Sequence, residues 1–135
     1  MLATKYMTRE RLPERHHTWR QKVTIVDTIS GRHCFYVDFG EYGDGRLAEI
    51  FLTSHKTGTF ARGIMDSLAQ SVSVALQSGT SPHDMAKQLM GQDYPPNGMV
   101  EANGSVVETC LSIADYIGQE IMACYGEDGK RYGAD

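Results

Sequence analysis

The sequence predicts an α+β fold: an antiparallel sheet of three or more strands packed on one face by a helix pair or helix trio. Three observations predict it. Apolar and polar residues alternate through residues 19–53, the period of a sheet with one covered face. Beyond Gly58 the apolar residues recur at three- and four-residue spacing, the period of an amphipathic helix. Strands come first and helices second, an order that segregates the helices to one face of an antiparallel sheet.

Each element follows from its own residues. Val23 and Ile25 lie on one side of a first strand, Lys22 and Thr24 on the other, and Ser30-Gly31 supplies the turn that ends it. His33, Phe35, Val37 and Phe39 alternate with Cys34, Tyr36 and Asp38 in a second strand. Residues 40–45, ending in Asp44-Gly45, form a hairpin connection into a third strand over 46–53. Ile64, Met65, Leu68, Val72, Ala75 and Leu76 share one arc of a long helix, with Thr59 as its expected N-cap and Gly79 as its C′ glycine. Ser81-Pro82 caps and opens a short second helix reaching Met90. Residues 91–104, with Pro95-Pro96 and Asn97-Gly98, read as a loop long enough to be functional. Val106, Cys110, Ile113, Ala114, Ile117, Ile121 and Cys124 stripe a third helix. The uncovered sheet face carries Lys22, Cys34 and Tyr36, and homo-oligomer formation is expected there.

At 135 residues, with 41% apolar and 22% charged content, the chain has the size of one domain with its own core. It is too short for a catalytic barrel or a full dinucleotide fold, and no apolar run approaches the roughly 18 residues of a membrane span. The net charge of -4 is unevenly spread. Residues 1–33 hold seven Lys and Arg against three Asp and Glu, and residues 34–135 hold six against fourteen. The expected organisation is a basic N-terminal arm over 1–18, a single domain over 19–125 and a flexible tail over 126–135. Arg9, Arg11 and Arg15 of the arm are candidates for docking on an acidic body, in the same or a neighbouring chain. Acids interspersed at Glu10, Glu14 and Asp27 argue against general nucleic-acid binding. Cys34, Cys110 and Cys124 are too scattered for a disulfide framework and form no C-x-x-C motif. With no secretory leader visible at Met1, this reads as a cytoplasmic chain.

No catalytic or metal residues are assigned, and no cofactor is expected. The sequence lacks the G-x-S-x-G elbow, and no His pair has the helical spacing of a metal site. Two segments carry binding chemistry instead. In Ser54-His55-Lys56-Thr57-Gly58-Thr59-Phe60-Ala61-Arg62, the hydroxyls of Thr57 and Thr59, the bare backbone of Gly58 and the cations Lys56 and Arg62 surround a helix start. Free amides and the positive end of the helix dipole there favour a phosphate or carboxylate. It is not a Walker loop, because Lys56 precedes the glycine. In Tyr94-Pro95-Pro96-Asn97-Gly98, the Tyr94 ring could stack on a base and the Asn97 amide bond its edge. Each segment also reads as an ordinary connection.

Arg9-Glu10-Arg11-Leu12-Pro13-Glu14-Arg15, Gly45-Arg46-Leu47-Ala48-Glu49-Ile50-Phe51-Leu52, Lys56-Thr57-Gly58-Thr59 and Ser73-Val74-Ala75-Leu76-Gln77-Ser78-Gly79 together resemble the successive blocks of the TSCPD domain, over residues 8–90. That domain is known as a C-terminal module of adenosylcobalamin-dependent (class II) ribonucleotide reductases and as small proteins of bacteria and phages. The resemblance implies a non-catalytic module of nucleotide biology, since nothing here matches the reductase barrel or its terminal cysteine pair. Two functions follow as expectations. One is binding of a phosphate-containing nucleotide or nucleotide-derived signal, through Lys56, Thr57, Gly58, Thr59, Arg62, Tyr94 and Asn97. Thoeris anti-defence sponges, which sequester cyclic nucleotide immune signals, are similar in scale and architecture. The other is an accessory or scaffolding role toward a ribonucleotide reductase by protein contact.

Overall fold

The computed structural model describes residues 8–54 and 58–134. Among them the elements are β1 (His17–Asp27), β2 (Gly31–Glu41), β3 (Leu47–Thr53), α1 (Thr59–Gln77), α2 (Pro82–Leu89), β4 (Gly98–Glu101), β5 (Thr109–Cys110) and α3 (Ile113–Cys124). The strands form one five-stranded sheet in the order β3-β2-β1-β4-β5, antiparallel at every pairing. The fold is α+β, with the helices on one face of the sheet.

Register explains which face is covered. Val23 pairs with Phe35, Gln21 with Val37, and Phe39 with Ile50, so the odd-numbered residues of β1 and β2 leave the sheet on one side. Val23, Ile25, Phe35, Val37, Phe39 and Ile50 are buried there against Met65, Val72 and Leu76 of α1 and Tyr116, Ile117 and Ile121 of α3. The Phe35 and Tyr116 rings meet edge to face at 6.1 Å, and Trp19 stacks on Phe39 at 4.3 Å. On the other side Lys22 and Cys34 are exposed and Tyr36 is half-buried beneath the Arg20 guanidinium, which is bidentate to Asp38.

Helix α1 lies beside the edge strand β3 and bonds to it. Ser73 Oγ accepts from the Ile50 amide at 3.0 Å and donates to the Ile50 carbonyl at 3.2 Å. Gln77 Nε2 donates to the Ala48 carbonyl at 3.1 Å. Two polar residues on the buried arc of the helix are thus explained, because each replaces a strand partner that β3 lacks on that side.

Several expectations change. The α1 N-cap is Gly58, not Thr59, and no side chain caps it. Ser81 and Pro82 begin α2 as expected, with Ser81 Oγ accepting from the Asp84 amide. Residues 91–104 are not all loop: β4 pairs with β1 through Val26 and Met99. The third helix begins at Ile113 rather than near Val106, which is 74% exposed, and Cys110 belongs to β5. Ser112 sets that start, since its hydroxyl accepts from the Asp115 amide while Asp115 accepts from Gly91 and Leu111.

Residues 8–16 and 126–134 both dock on the body. In the arm, Glu10 N donates to the Gln77 carbonyl, Arg9 Nε bonds Gln77 Oε1 at 2.7 Å and His16 Nε2 meets Glu49 at 2.7 Å. The Pro13 carbonyl on its other nitrogen, with the Glu49 carboxylate, raises the His16 imidazole above its ordinary value despite partial burial. Arg11 and Arg15 are exposed. The tail was expected to fray. Instead Gly129 accepts from the Leu47 amide, Arg131 N donates to the Gly45 carbonyl, and Gly126 and Gly129 are buried. Short glycine-containing turns let the backbone approach the β2–β3 connection closely enough to bond it.

Candidate functional site

The first turns of α1 and the Tyr94 segment, 35 residues apart in sequence, wall the same cleft. It encloses about 490 Å3, with Phe35, Met65, Leu68 and Ile113 as its floor and Phe60, Ile64 and Tyr94 at its mouth. Phe60 is 83% exposed, Ile64 57% and Tyr94 44%. Helical spacing puts Phe60 and Ile64 on one face of α1. Tyr94 is held by its amide, which donates to the Leu111 carbonyl at 3.0 Å.

The polar groups of the lining are largely engaged within the chain. Arg32 is paired with Glu101 in a two-bond fork, His33 shares a hydrogen bond with Ser30 Oγ at 2.8 Å, and the buried Ser54 hydroxyl donates to the Cys34 carbonyl. The open surface is therefore apolar. At the mouth, the first helical bond of α1 runs from Arg62 N to the Gly58 carbonyl at 3.0 Å, so the preceding amides of the helix have no intrahelical acceptor. No acidic residue occupies that first turn.

The candidate residues from the sequence separate here. Lys56 and Thr57 lie outside the described residues. Gly58, Thr59 and Arg62 are exposed beside the cleft, though they do not line it, while Phe60 and Ala61 between them do. Tyr94 lines it. Asn97 does not, and its amide groups hold the loop: N donates to Asp27 at 3.1 Å and Nδ2 to Asp93 at 3.3 Å. The Ile29 and Asn97 amides keep the Asp27 carboxyl below the usual carboxylate range. Asn97 thus helps to position the loop.

Two buried carboxylates escape any motif. Glu41 accepts from Tyr125 Oη at 2.6 Å, Trp19 Nε1 at 3.2 Å and Arg131 Nε at 3.0 and 3.2 Å. Glu120 accepts from Tyr116 Oη at 2.6 Å, from Ser105 and from the Cys124 thiol at 3.2 Å. The signal for Glu41 is the strand period itself, since Phe35, Val37, Phe39 and Glu41 point the same way.

Among the described residues, no group of three or more His, Cys, Asp and Glu is placed to hold a metal ion. Burial pushes the Cys110 thiol up to about 11 and the Cys124 thiol, beside Glu120, up to about 12. Cys34 is exposed. At pH 8 a group titrating near 11 is thiolate in only about one molecule in a thousand, and the thiolate is the nucleophile. A disulfide reagent at pH 8 is therefore expected to label Cys34 alone in the folded chain and all three cysteines in urea. Rapid labelling of Cys110 or Cys124 in the native protein would overturn that assignment.

No helix among the described residues is long and apolar enough to cross a membrane. No solved structure matches the chain. It is similar to the vitamin B12-dependent ribonucleotide reductases of Agrobacterium fabrum, 35% identical over 117 residues, and Bradyrhizobium diazoefficiens, 34% identical over 117 residues. Each match covers 87% of this chain and 9% of the relative. The reductase of Rhodopirellula baltica is 34% identical over 109 residues, covering 81% of this chain and 10% of the relative. The chain thus spans about a tenth of the length of these relatives. The family model of the TSCPD domain matches residues 5–125, nearly every element from the arm to the end of α3, and the chain belongs to the TSCPD domain family.

Proposed function

We propose that the chain is a non-catalytic binding module that acts by contact with a vitamin B12-dependent ribonucleotide reductase, through the cleft between α1 and the Tyr94 segment. The observation that carries this reading is the division of labour in the cleft. Its polar side chains are already paired within the chain, while Phe60, Ile64 and Tyr94 stand open around an apolar floor. Clustered exposed apolar residues of this kind mark a surface that another protein covers. The relatives carry the same domain as a small part of a reductase chain, which supplies the kind of partner.

A second reading rests on the uncapped start of α1 at the cleft mouth, where a phosphate would meet free amides while a base stacks on Tyr94. In that form the ligand is a phosphate-containing nucleotide or nucleotide-derived signal, and the module is a sequestering protein.

Titration calorimetry against the reductase of the same cells distinguishes the two. Contact through the cleft predicts a saturable heat that falls at least about tenfold in affinity in a Phe60→Asp, Ile64→Asp variant, since hot-spot side chains carry most of the binding energy. The variant should melt with the wild type because both side chains are exposed. A nucleotide panel that raises the melting temperature, with the rise lost in Tyr94→Ala, would select the second reading; 100 times the dissociation constant corresponds to about 2.7 kcal/mol. Neither heat nor shift would overturn both.

A further inference from the structure

A second cavity, of about 190 Å3, lies where the end of the arm, the start of β1, the β2–β3 connection and the tail meet. A neighbouring cavity of about 430 Å3 shares its His17 and Arg131 walls. Arg131 is the centre of this region. Its Nε donates to both oxygens of Glu41, which is only 2% exposed and is further filled by Trp19 and Tyr125. That anchoring uses one of the five guanidinium donors and fixes the plane of the group. Its two Nη nitrogens have no partner among the described residues.

Two more side chains, His17 and Arg15, line the same space. His17 is opposite Glu41 in the β1–β2 register, so its side chain leaves the sheet on the same side. Arg15 comes from the arm. Neither has a hydrogen-bond or ion-pair partner among the described residues, whereas the neighbouring His16 is taken up by Glu49 and Pro13. Arg131 answers the Glu41 charge and His16 meets Glu49, which leaves the Arg15 guanidinium as a cation, and the His17 ring as a donor, without a partner among the described residues. That is unusual in a chain of net charge -4.

We propose that this cavity is a binding site for a small oxyanion, a phosphate or the phosphate group of a monoester. The Arg131 Nη pair is its planar fork, and Arg15 and His17 are its flanking donors. A guanidinium held by a buried carboxylate presents its remaining donors without further loss of side-chain freedom, which suits bidentate recognition of phosphate. The volume is below the roughly 300 Å3 at which pockets begin to enclose whole drug-sized ligands, so the anionic group alone enters. Arg131 also lies beyond residues 5–125, the span matched by the family, so a segment outside the shared domain completes the site.

The test is titration calorimetry with inorganic phosphate, and thermal melts in sodium phosphate against sodium chloride at equal ionic strength. Phosphate is expected to bind and to raise the melting temperature above the chloride control. Arg131→Lys, which can keep an ion pair with Glu41 but loses the fork, and an Arg15→Gln, His17→Gln double variant should each weaken binding about tenfold, the size of one lost charged hydrogen bond. The double variant should melt with the wild type in chloride, because both side chains are exposed and unpaired there. Equal melts in phosphate and chloride would overturn the site. So would phosphate binding that survives Arg15→Gln, His17→Gln and is lost in Arg62→Ala, which would move the anion to the start of α1.

Discussion

Replacing Glu41 with alanine is expected to destabilise the protein by about 2–3 kcal/mol, since it leaves the buried Tyr125 hydroxyl without its acceptor and removes the anchor of Arg131, whose side chain is 36% exposed. The carboxylate is 2% exposed and joins four elements of the chain: Trp19 of β1, its own strand β2, Tyr125 at the end of α3 and Arg131 of the tail. Without it the Tyr125 hydroxyl proton loses its buried acceptor and the Arg131 guanidinium its anchor, while the indole N–H keeps the Tyr125 oxygen at 3.0 Å. Each stranded donor costs its desolvation. Glu41→Gln should fall between the two, because the amide oxygen still accepts from Tyr125 but its NH2 group meets the Arg131 donor. Urea unfolding of the three proteins gives the comparison, and a Glu41→Ala midpoint within error of the wild type would show that the network contributes nothing. Limited proteolysis adds a local readout, since the tail is anchored partly through Arg131 and should be cut earlier in Glu41→Ala.

Gly98→Ala should be comparably damaging for a different reason. Gly98 opens β4 at φ +146°, a region that side chains rarely adopt, and an added Cβ would sit 2.1 Å from the Val26 carbonyl oxygen. That oxygen belongs to the central strand β1 and has no room to retreat. Strain and overlap together are expected to cost at least about 3 kcal/mol, from typical penalties of strained backbone and core overlap. Gly31→Ala is the control: φ is +91°, yet nothing lies within 4 Å, so only the left-handed backbone penalty of about 1–2 kcal/mol applies. Hydrogen exchange should show where the damage falls. Loss of protection at the Val100 amide, which bonds Glu108, is expected in Gly98→Ala and not in Gly31→Ala. Equal stability of the two variants would refute the steric account. Because β4 follows directly on the Tyr94 to Pro96 wall, the same substitution should also loosen the cleft.

What was legible in the sequence was whatever depended on a sustained period. The first three strands have seven to eleven residues each, long enough for alternation to show, and α1 repeats its apolar arc through five turns. Strands β4 and β5 have four and two residues, too few to establish any period. Their existence is decided by β1 offering an unpaired side. The third helix was extended backward to Val106 because a valine and a cysteine happened to fall on its arc, whereas the Ser112 cap sets the start. For the candidate site, the residue types of the two segments are legible separately, and the meeting of α1 with the Tyr94 segment is not, since it depends on how the sheet places β2 beneath both. The bond from the Asn97 backbone amide to Asp27, 70 residues away, leaves no local signal. The docking of the tail has no local signal either: the bonds that tie it to the body go to Gly45, Leu47 and Glu41, none of them near in sequence.

The contact between Ser73 and Ile50 bears on how the chain avoids sticking to itself. An edge strand with open amides and carbonyls is a template on which another strand can be added, the first step toward runaway assembly. On β3 the outward groups of Ile50, the Ala48 carbonyl and the Leu47 amide are occupied by Ser73, Gln77 and Gly129. The opposite margin, β5, is only two residues long. The sheet is thus partly covered along β3 and short at β5. Ser73, a residue easily taken for an ordinary helix serine, fills edge groups of Ile50 on which another strand would otherwise pair.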